Sequence, residues 1–404
     1  VAANQVLLSA LVAVLCVIGL VMVLSASSVD SLSQYGSPWY VFERQVLWVA
    51  IGVVLLLVVA RVDYRSWRRL AGPLMVACVV LLVAVLVPGL GATVGGSSRW
   101  LGAGPLRIQP SELAKLALVV FGADVLTRRV GPGLRWAPAV RPVLIAFGVC
   151  AVLILKQPDM GTAMILGCIT LGLLWAAGVP GRLVGALVGL AAAGSFVVAL
   201  ARPYRRARLL SFLDPWAHRH NSGYQIVQSL VGFANGHLFG VGLGASRAKW
   251  GFLPNAHTDF IFSIIGEELG LVGSLLVVAL FAALTLVGLR IAARAPDRFS
   301  SLLSTGITCW LTGQAVLNMG AVIGLLPVTG VPMPFVSYGG SSLVIDLLAV
   351  GILLNIARQE ASPVPAPVRL PVGEDEEGGL ARRGQAAGGS GPARPRRARV
   401  VGGC

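Results

Sequence analysis

The chain has 404 residues, 56% of them hydrophobic and only 12% charged, with a mean hydropathy of +0.82. A soluble domain is about one quarter charged, so an ordinary soluble enzyme is excluded. The formal charge is +15, from 29 Arg and 3 Lys against 17 acidic residues; its meaning depends on which side of a membrane each arginine faces.

Apolar runs recur along almost the whole length. Backbone groups in lipid must hydrogen-bond internally, which leaves helices or a closed barrel. The first run, LLSALVAVLCVIGLVMVL, does not alternate with period two, so the barrel is removed. No basic residue precedes it and no small-x-small cleavage site follows, so it reads as a retained span and not a signal peptide. Ten spans are predicted, at roughly 6–28, 41–60, 70–88, 111–127, 142–156, 160–177, 182–200, 260–289, 301–325 and 335–357, the fifth being short. Arginines crowd alternate connections: Arg61, Arg65, Arg68 and Arg69; Arg128, Arg129, Arg135 and Arg141; Arg290, Arg294 and Arg298; then Arg358. The positive-inside rule places these, and both termini, in the cytoplasm. The expected fold is an all-α polytopic membrane protein of about ten transmembrane helices, with a large extracytoplasmic loop, 201–259, between the seventh and eighth.

That loop carries Arg202, Arg205, Arg206, Arg208, Arg219, Arg247 and Lys249. Long loops cross largely regardless of charge. The bases suit anionic lipid headgroups or a phosphorylated substrate. Within the loop, YQIVQSLVGF (224–233) has helical spacing and is expected on the membrane surface. Residues 359–404 are rich in Pro, Gly, Ala and Arg, with an acidic patch at 374–377. They read as a disordered cytoplasmic tail, a protein or lipid contact, distinct from the membrane domain of 1–358. The cysteines form no C-x-x-C, and five lie in apolar runs, so they read as small core residues.

Ionisable groups in a span are functional candidates. In RIQPSELAK, Pro110, Ser111 and Glu112 suit a helix start. Glu112 and Lys115, three apart, share a face; they form either a buried ion pair or an ammonium oriented for an anionic ligand. In KQPDMGT, Asp159 suits an N-cap. In LPVTGVPMPFVSYGGSS, three prolines break the chain, and Ser337 to Ser342 give the tenth span a small, polar start. In NAHTDFIFSIIGEELG, Asp259, Ser263, Gly266, Glu267 and Gly270 fall on one helical face, with Asp259 near water and Glu267 about 12 Å deeper. His257, Thr258 and Asp259 close the basic loop. Glu267 and Glu268 are expected as buried supports.

These segments, with SRWLGAGPLRIQPSELAK, FLDPWAHRHNSGYQIVQSL and GVGLG, occur in the order found in the SEDS family (shape, elongation, division and sporulation), which the chain resembles over nearly all of 6–358. FLDPW and SGYQIVQSL look more like the division branch than the elongation branch. His218 and Arg219 stand where that branch usually has an acidic residue. The arginine-rich composition resembles actinobacterial members. The resemblance implies a peptidoglycan glycosyltransferase of the bacterial cytoplasmic membrane that polymerises lipid II into β-1,4 glycan at the septum. It also implies a class B penicillin-binding protein as partner, further divisome proteins, and functional roles for Asp259, Glu112 and Lys115. On that footing Asp259 is the expected general base, and Lys115, oriented by Glu112, a pyrophosphate contact. Arg99, Lys249, His257, Thr258 and Ser337 are further expected substrate contacts, while Glu267, Glu268 and Asp159 are supports. No cofactor motif is present. A divalent cation or the loop arginines are alternative partners for the pyrophosphate, and no nucleic acid is expected. A lipid II flippase, a non-enzymatic divisome scaffold and, more distantly, a small-solute transporter are the rival readings.

Overall fold

The computed structural model describes residues 2–94, 97–102, 107–129, 136–200 and 203–360. Arg135, Arg202 and the expected tail from 361 onward lie outside them. Ten long helices correspond to the ten predicted spans: α1 (Ala2–Tyr35), α2 (Tyr40–Val59), α3 (Arg65–Leu86), α4 (Pro110–Arg129), α5 (Ala137–Lys156), α6 (Met160–Ala176), α7 (Gly181–Leu200), α10 (Ile261–Ala293), α11 (Arg298–Val322) and α12 (Gly340–Arg358). Six of these (α1, α2, α3, α5, α10 and α12) are long and apolar enough to cross a membrane by length and composition alone. α4 and α11 are instead buried along most of their length and carry the polar interior. The protein is a multi-pass helical membrane protein. The fifth span is a full 20 residues: Pro138 falls in its first turn, where the missing N–H costs nothing, and the helix runs on through Pro142, the expected start.

Side-chain contacts sort the connections into two ends. At the basic end, Arg68 and Arg128 both reach Asp124 (2.9 and 2.8 Å), and Tyr64 donates to Asp297. There Asn355 accepts from the Tyr64 N–H and donates to the Ala60 carbonyl, Arg298 donates to the Ala177 carbonyl, and Asn4 donates to Glu360. The predicted alternation of arginine-rich loops therefore gathers them on one side. The Cys16, Cys78 and Cys150 thiols are buried, and Cys168 and Cys309 are partly so, all without disulfides.

The opposite end holds further elements beyond the predicted spans, among them a short π-helical turn at Ala248–Phe252. A two-stranded antiparallel hairpin, β1 (Gly91–Val94) and β2 (Ser97–Leu101), lies between α3 and α4. α8 (Pro203–Leu213) and α9 (Tyr224–Gly236) lie in the large loop. α9 is not a surface helix as its spacing suggests. It packs against α10 and reaches α11: Ser263 donates to the Ser229 carbonyl, and Ser229 to the Val322 carbonyl. Ile226 and Val227 of its apolar face are thereby buried in the protein, while Val231 stays exposed.

The reason is a break in α10. Gly270 adopts φ 69°, ψ −163°, a conformation that glycine alone tolerates readily. The break interrupts the helical ladder, and the segment after α9 completes it. Val241 and Gly242 donate backbone N–H groups to the Glu267 and Glu268 carbonyls (3.0 and 3.1 Å). Leu271 and Val272 donate to the carbonyls of His237 and Leu238 (3.0 and 3.1 Å). Such close approach needs bare backbone: a Cβ at Gly236 would strike the Gly266 carbonyl, and one at Gly240 the Glu268 carbonyl. Gly240→Val is thus expected to destabilise the purified protein by about 3 kcal/mol or more through overpacking and strain. Gly189→Ala in α7, where an added Cβ meets nothing within 4 Å, should leave the thermal midpoint unchanged or raised. Thermal unfolding in one detergent checks both.

Candidate active site

The NAHTD turn is built by Asn255, which adopts φ 59°, a left-handed conformation that Asn tolerates better than most residues. Its carbonyl accepts from the N–H groups of Thr258 and Phe260 (3.1 and 3.3 Å) and from the Thr258 hydroxyl (3.2 Å). α10 starts only at Ile261, so Asp259 belongs to the turn. This corrects the expected shared face. Asp259 points to Gly330, whose Cβ position lies 3.5 Å from Asp259 Oδ2, whereas Glu267 faces 246–248. Asp259 is half-buried, as are His257 and Thr258.

α11 holds this turn through two rungs. Asn318 donates to the backbone carbonyls of Asp259 (2.8 Å) and Val331 (2.7 Å). One helical turn deeper, about 6 Å, Gln314 donates to the Pro332 carbonyl (2.9 Å) while its own oxygen accepts from Lys115 (2.7 Å) and Trp310 (3.0 Å). Lys115 is fully buried, 2.7 Å from Glu112, with its ammonium over the Trp310 ring. The structure therefore realises the ion-pair alternative. Lys115 is saturated by Glu112, Gln314 and Trp310, and it lies behind the 329–332 segment, not open to a ligand.

His257 sits edge-on to Tyr338 (centroids 5.7 Å apart), accepts the Tyr338 N–H on its carbonyl (2.9 Å), and places Nδ1 3.9 Å from Asp30 at the end of α1. Burial holds its imidazole below the ordinary histidine range, with the Asp30 charge acting against that shift, so the ring is neutral at pH 7.

Other expected contacts are committed elsewhere. Lys249 is buried, donates to the Gly244 carbonyl (2.5 Å) and lies 3.9 Å from Glu268. Its ammonium is thus engaged by the loop backbone and lies near the Glu268 carboxylate. Arg99 donates to the carbonyls of Gln157 and Pro158, fixing the hairpin to the α5–α6 turn. Ser337 is buried; its hydroxyl accepts the Met333 N–H (2.8 Å) and its carbonyl accepts from Gln45 (3.2 Å). Asp159 caps α6, accepting from the Thr162 N–H (3.1 Å) and hydroxyl (2.9 Å) and from Gln109 (3.2 Å). Glu267 accepts from the Ser246 hydroxyl and the N–H groups of Arg247 and Ala248. Glu268 accepts from the Ser25 hydroxyl (2.6 and 2.8 Å) and the Ser246 N–H. Both are buried supports that tie the loop to α10 and α1. Arg206, Arg219 and Arg247 are exposed at this end. Among the described residues, no group of three or more His, Cys, Asp or Glu side chains is placed to hold a metal ion.

The sequence reading passed over Gln314, Asn318, Asp30 and Asp346. Asp346 could have been found, because an ionisable residue in the tenth span meets the same criterion that selected Glu112. Neutral amides inside a span send no comparable signal.

A multi-pass helical bundle with a half-buried carboxylate on a rigid turn at one end defines a class of membrane enzyme candidates. The family profile of cell cycle proteins that groups FtsW, RodA and SpoVE matches residues 5–362, and the chain belongs to that family. The chain is 41% identical over 361 residues to the probable peptidoglycan glycosyltransferase FtsW of Geobacter metallireducens, covering 89% of this chain and 96% of the relative. It is 43% identical over 371 residues to that of Mycobacterium tuberculosis, covering 92% and 70%. Among solved structures it resembles a chain of a peptidoglycan synthase complex (TM-score 0.71, 29% identity, 88% and 98% covered). It also resembles the rod shape determining protein RodA of Thermus thermophilus (TM-score 0.65, 28% identity, 88% and 97% covered).

Removing one member of the buried pair should cost more than removing both. Lys115→Met strands the Glu112 carboxylate and is expected to destabilise by about 3–5 kcal/mol. Lys115→Met combined with Glu112→Leu should recover much of that loss in thermal unfolding.

Proposed function

We propose that this chain is a peptidoglycan glycosyltransferase that polymerises lipid II at the division septum, with its active site at the extracytoplasmic end of the bundle. The observation that carries the reading is Asp259: a half-buried carboxylate, on a turn clamped by Asn318 and the 329–332 segment, at the end opposite the arginine-rich loops.

The reaction needs a base and a stabilised leaving group. The acceptor 4-hydroxyl oxygen attacks the anomeric carbon of the donor, the carbon–oxygen bond to undecaprenyl pyrophosphate breaks, and the hydroxyl proton passes to Asp259. A single displacement inverts the anomeric centre and needs only this one carboxylate. Gly330 lies beside Asp259 Oδ2 and presents no side chain to it. The neutral, half-buried His257 and Thr258 flank the same turn and serve as saccharide contacts. Positive charge for the pyrophosphate comes from the exposed Arg206, Arg219 and Arg247, or from a divalent cation carried by the pyrophosphate itself. Lys115 acts as a positioning residue, through Gln314 and Pro332, with Glu112 as its counter-ion. A class B penicillin-binding protein is the proposed transpeptidase partner, a pairing supported by the likeness to a chain from a peptidoglycan synthase complex.

Asp259→Asn should abolish glycan synthesis from lipid II by the purified protein with its partner, a loss of about 10²-fold or more, while thermal stability is retained. Polymer at the normal rate would remove Asp259 as the base. Translocation of fluorescent lipid II with no polymer formed would instead favour a transporter. Asn318→Leu releases both carbonyls of the outer rung and is expected to lower kcat on the order of 10²-fold by misplacing the carboxylate.

A further inference from the structure

α4 packs against α12, and Glu112 and Lys115 of the one and Asp346 of the other are all buried: two carboxylates against one ammonium. Lys115 is matched one-to-one by Glu112 at 2.7 Å, with Gln314 and Trp310 taking up the remaining faces of its ammonium. The surplus carboxyl is Asp346 of α12. It is 1% exposed, and its Oδ1 has no hydrogen-bond partner among the described residues. The charged and titratable groups that act on it electrostatically are Lys115 and Glu112 on α4 and the Cys16 thiol on α1; beside Lys115, α11 presents the neutral Gln314 and Trp310. A thiol supplies no positive charge.

We propose that Glu112, Lys115 and Asp346 form a buried proton-binding site in the membrane interior, with the bound proton carried on Asp346. An isolated carboxylate at this depth needs a partner or a proton, and the one available cation is already paired. Protonating a carboxyl at neutral pH works against its solution affinity by roughly three pH units, a smaller penalty than leaving a surplus charge in an apolar interior. The step is simple addition, a carboxylate plus a proton giving a carboxylic acid, with no other bond made or broken. With the proton in place the trio carries no net charge, and Lys115 stays on Glu112 and Gln314. The proton thereby preserves the inner rung that holds Pro332. Loss of the proton would offer Lys115 a second anion and draw it off that rung. The site is thus suited to report membrane-interior proton occupancy to the 329–332 segment.

The test reads the proton directly and does not depend on glycan synthesis. Infrared spectra of the full chain in lipid nanodiscs at pH 7, in sodium-containing and sodium-free buffer, should contain a protonated-carboxyl C=O band. Labelling aspartate with carbon-13 at its carboxyl should shift this band in the wild type, which assigns it to an aspartate, and the Asp346→Asn spectrum then assigns it to Asp346. The band should be absent from Asp346→Asn and equal in the two buffers. Absence of the band from the wild type at pH 7 would overturn the proposal. So would a band that moves with labelled glutamate instead, or one that appears only when sodium is withdrawn, which would mark a metal cation at the site.

Discussion

The structure at the end opposite the arginine-rich loops depends on repair of the α10 backbone at Gly270. A helix broken among apolar surroundings leaves carbonyl and N–H groups that water cannot satisfy. Here the Glu267 and Glu268 carbonyls and the Leu271 and Val272 N–H groups are all taken by residues 237–242. The repair brings α9 down beside α10 and brings Ser246 to Lys249 onto the two glutamates. Six residues beyond Lys249 the chain enters the Asn255 turn. The position of Asp259 therefore follows from a backbone problem solved some ten residues along α10.

The second determinant is the polar ladder on α11. Asn318 and Gln314, one turn apart, convert a helix face into two rungs that hold 331–332 and the Asp259 backbone. Amides suit this task because each carries two N–H donors as well as an acceptor oxygen. Gln314 accepts from Lys115 and Trp310 while donating to Pro332, so its orientation is fixed from both sides. The buried ion pair is rigid for the same reason. With three partners around the ammonium, rotation of Lys115 would leave a charge unpaired in an apolar interior.

Much of the architecture was legible from residue patterns. Ten apolar runs and alternating arginines define spans and ends, because the bilayer imposes length and the positive-inside bias imposes order. The start of α4 at Pro110 and the cap at Asp159 were readable for local reasons. The hairpin at 91–101 was not, since its glycines and serines carry no strong alternation. α9 was recognised as a helix but assigned the wrong surroundings. Its apolar face suits lipid and protein equally, and only the glycine contacts of Gly232 and Gly236 with α10 distinguish them.

The sequence by itself determined the class of protein, its family resemblance, and the residue types that chemistry at the membrane edge requires. Tertiary structure decided what each charge does. Lys115 and Lys249 read alike as cations available for a phosphate, yet both are buried against glutamates. Asp259 and Glu267 read as one helical face, yet the helix begins after Asp259 and separates them. Charge is written in the residue, but its partner lies on another helix, so only packing assigns it.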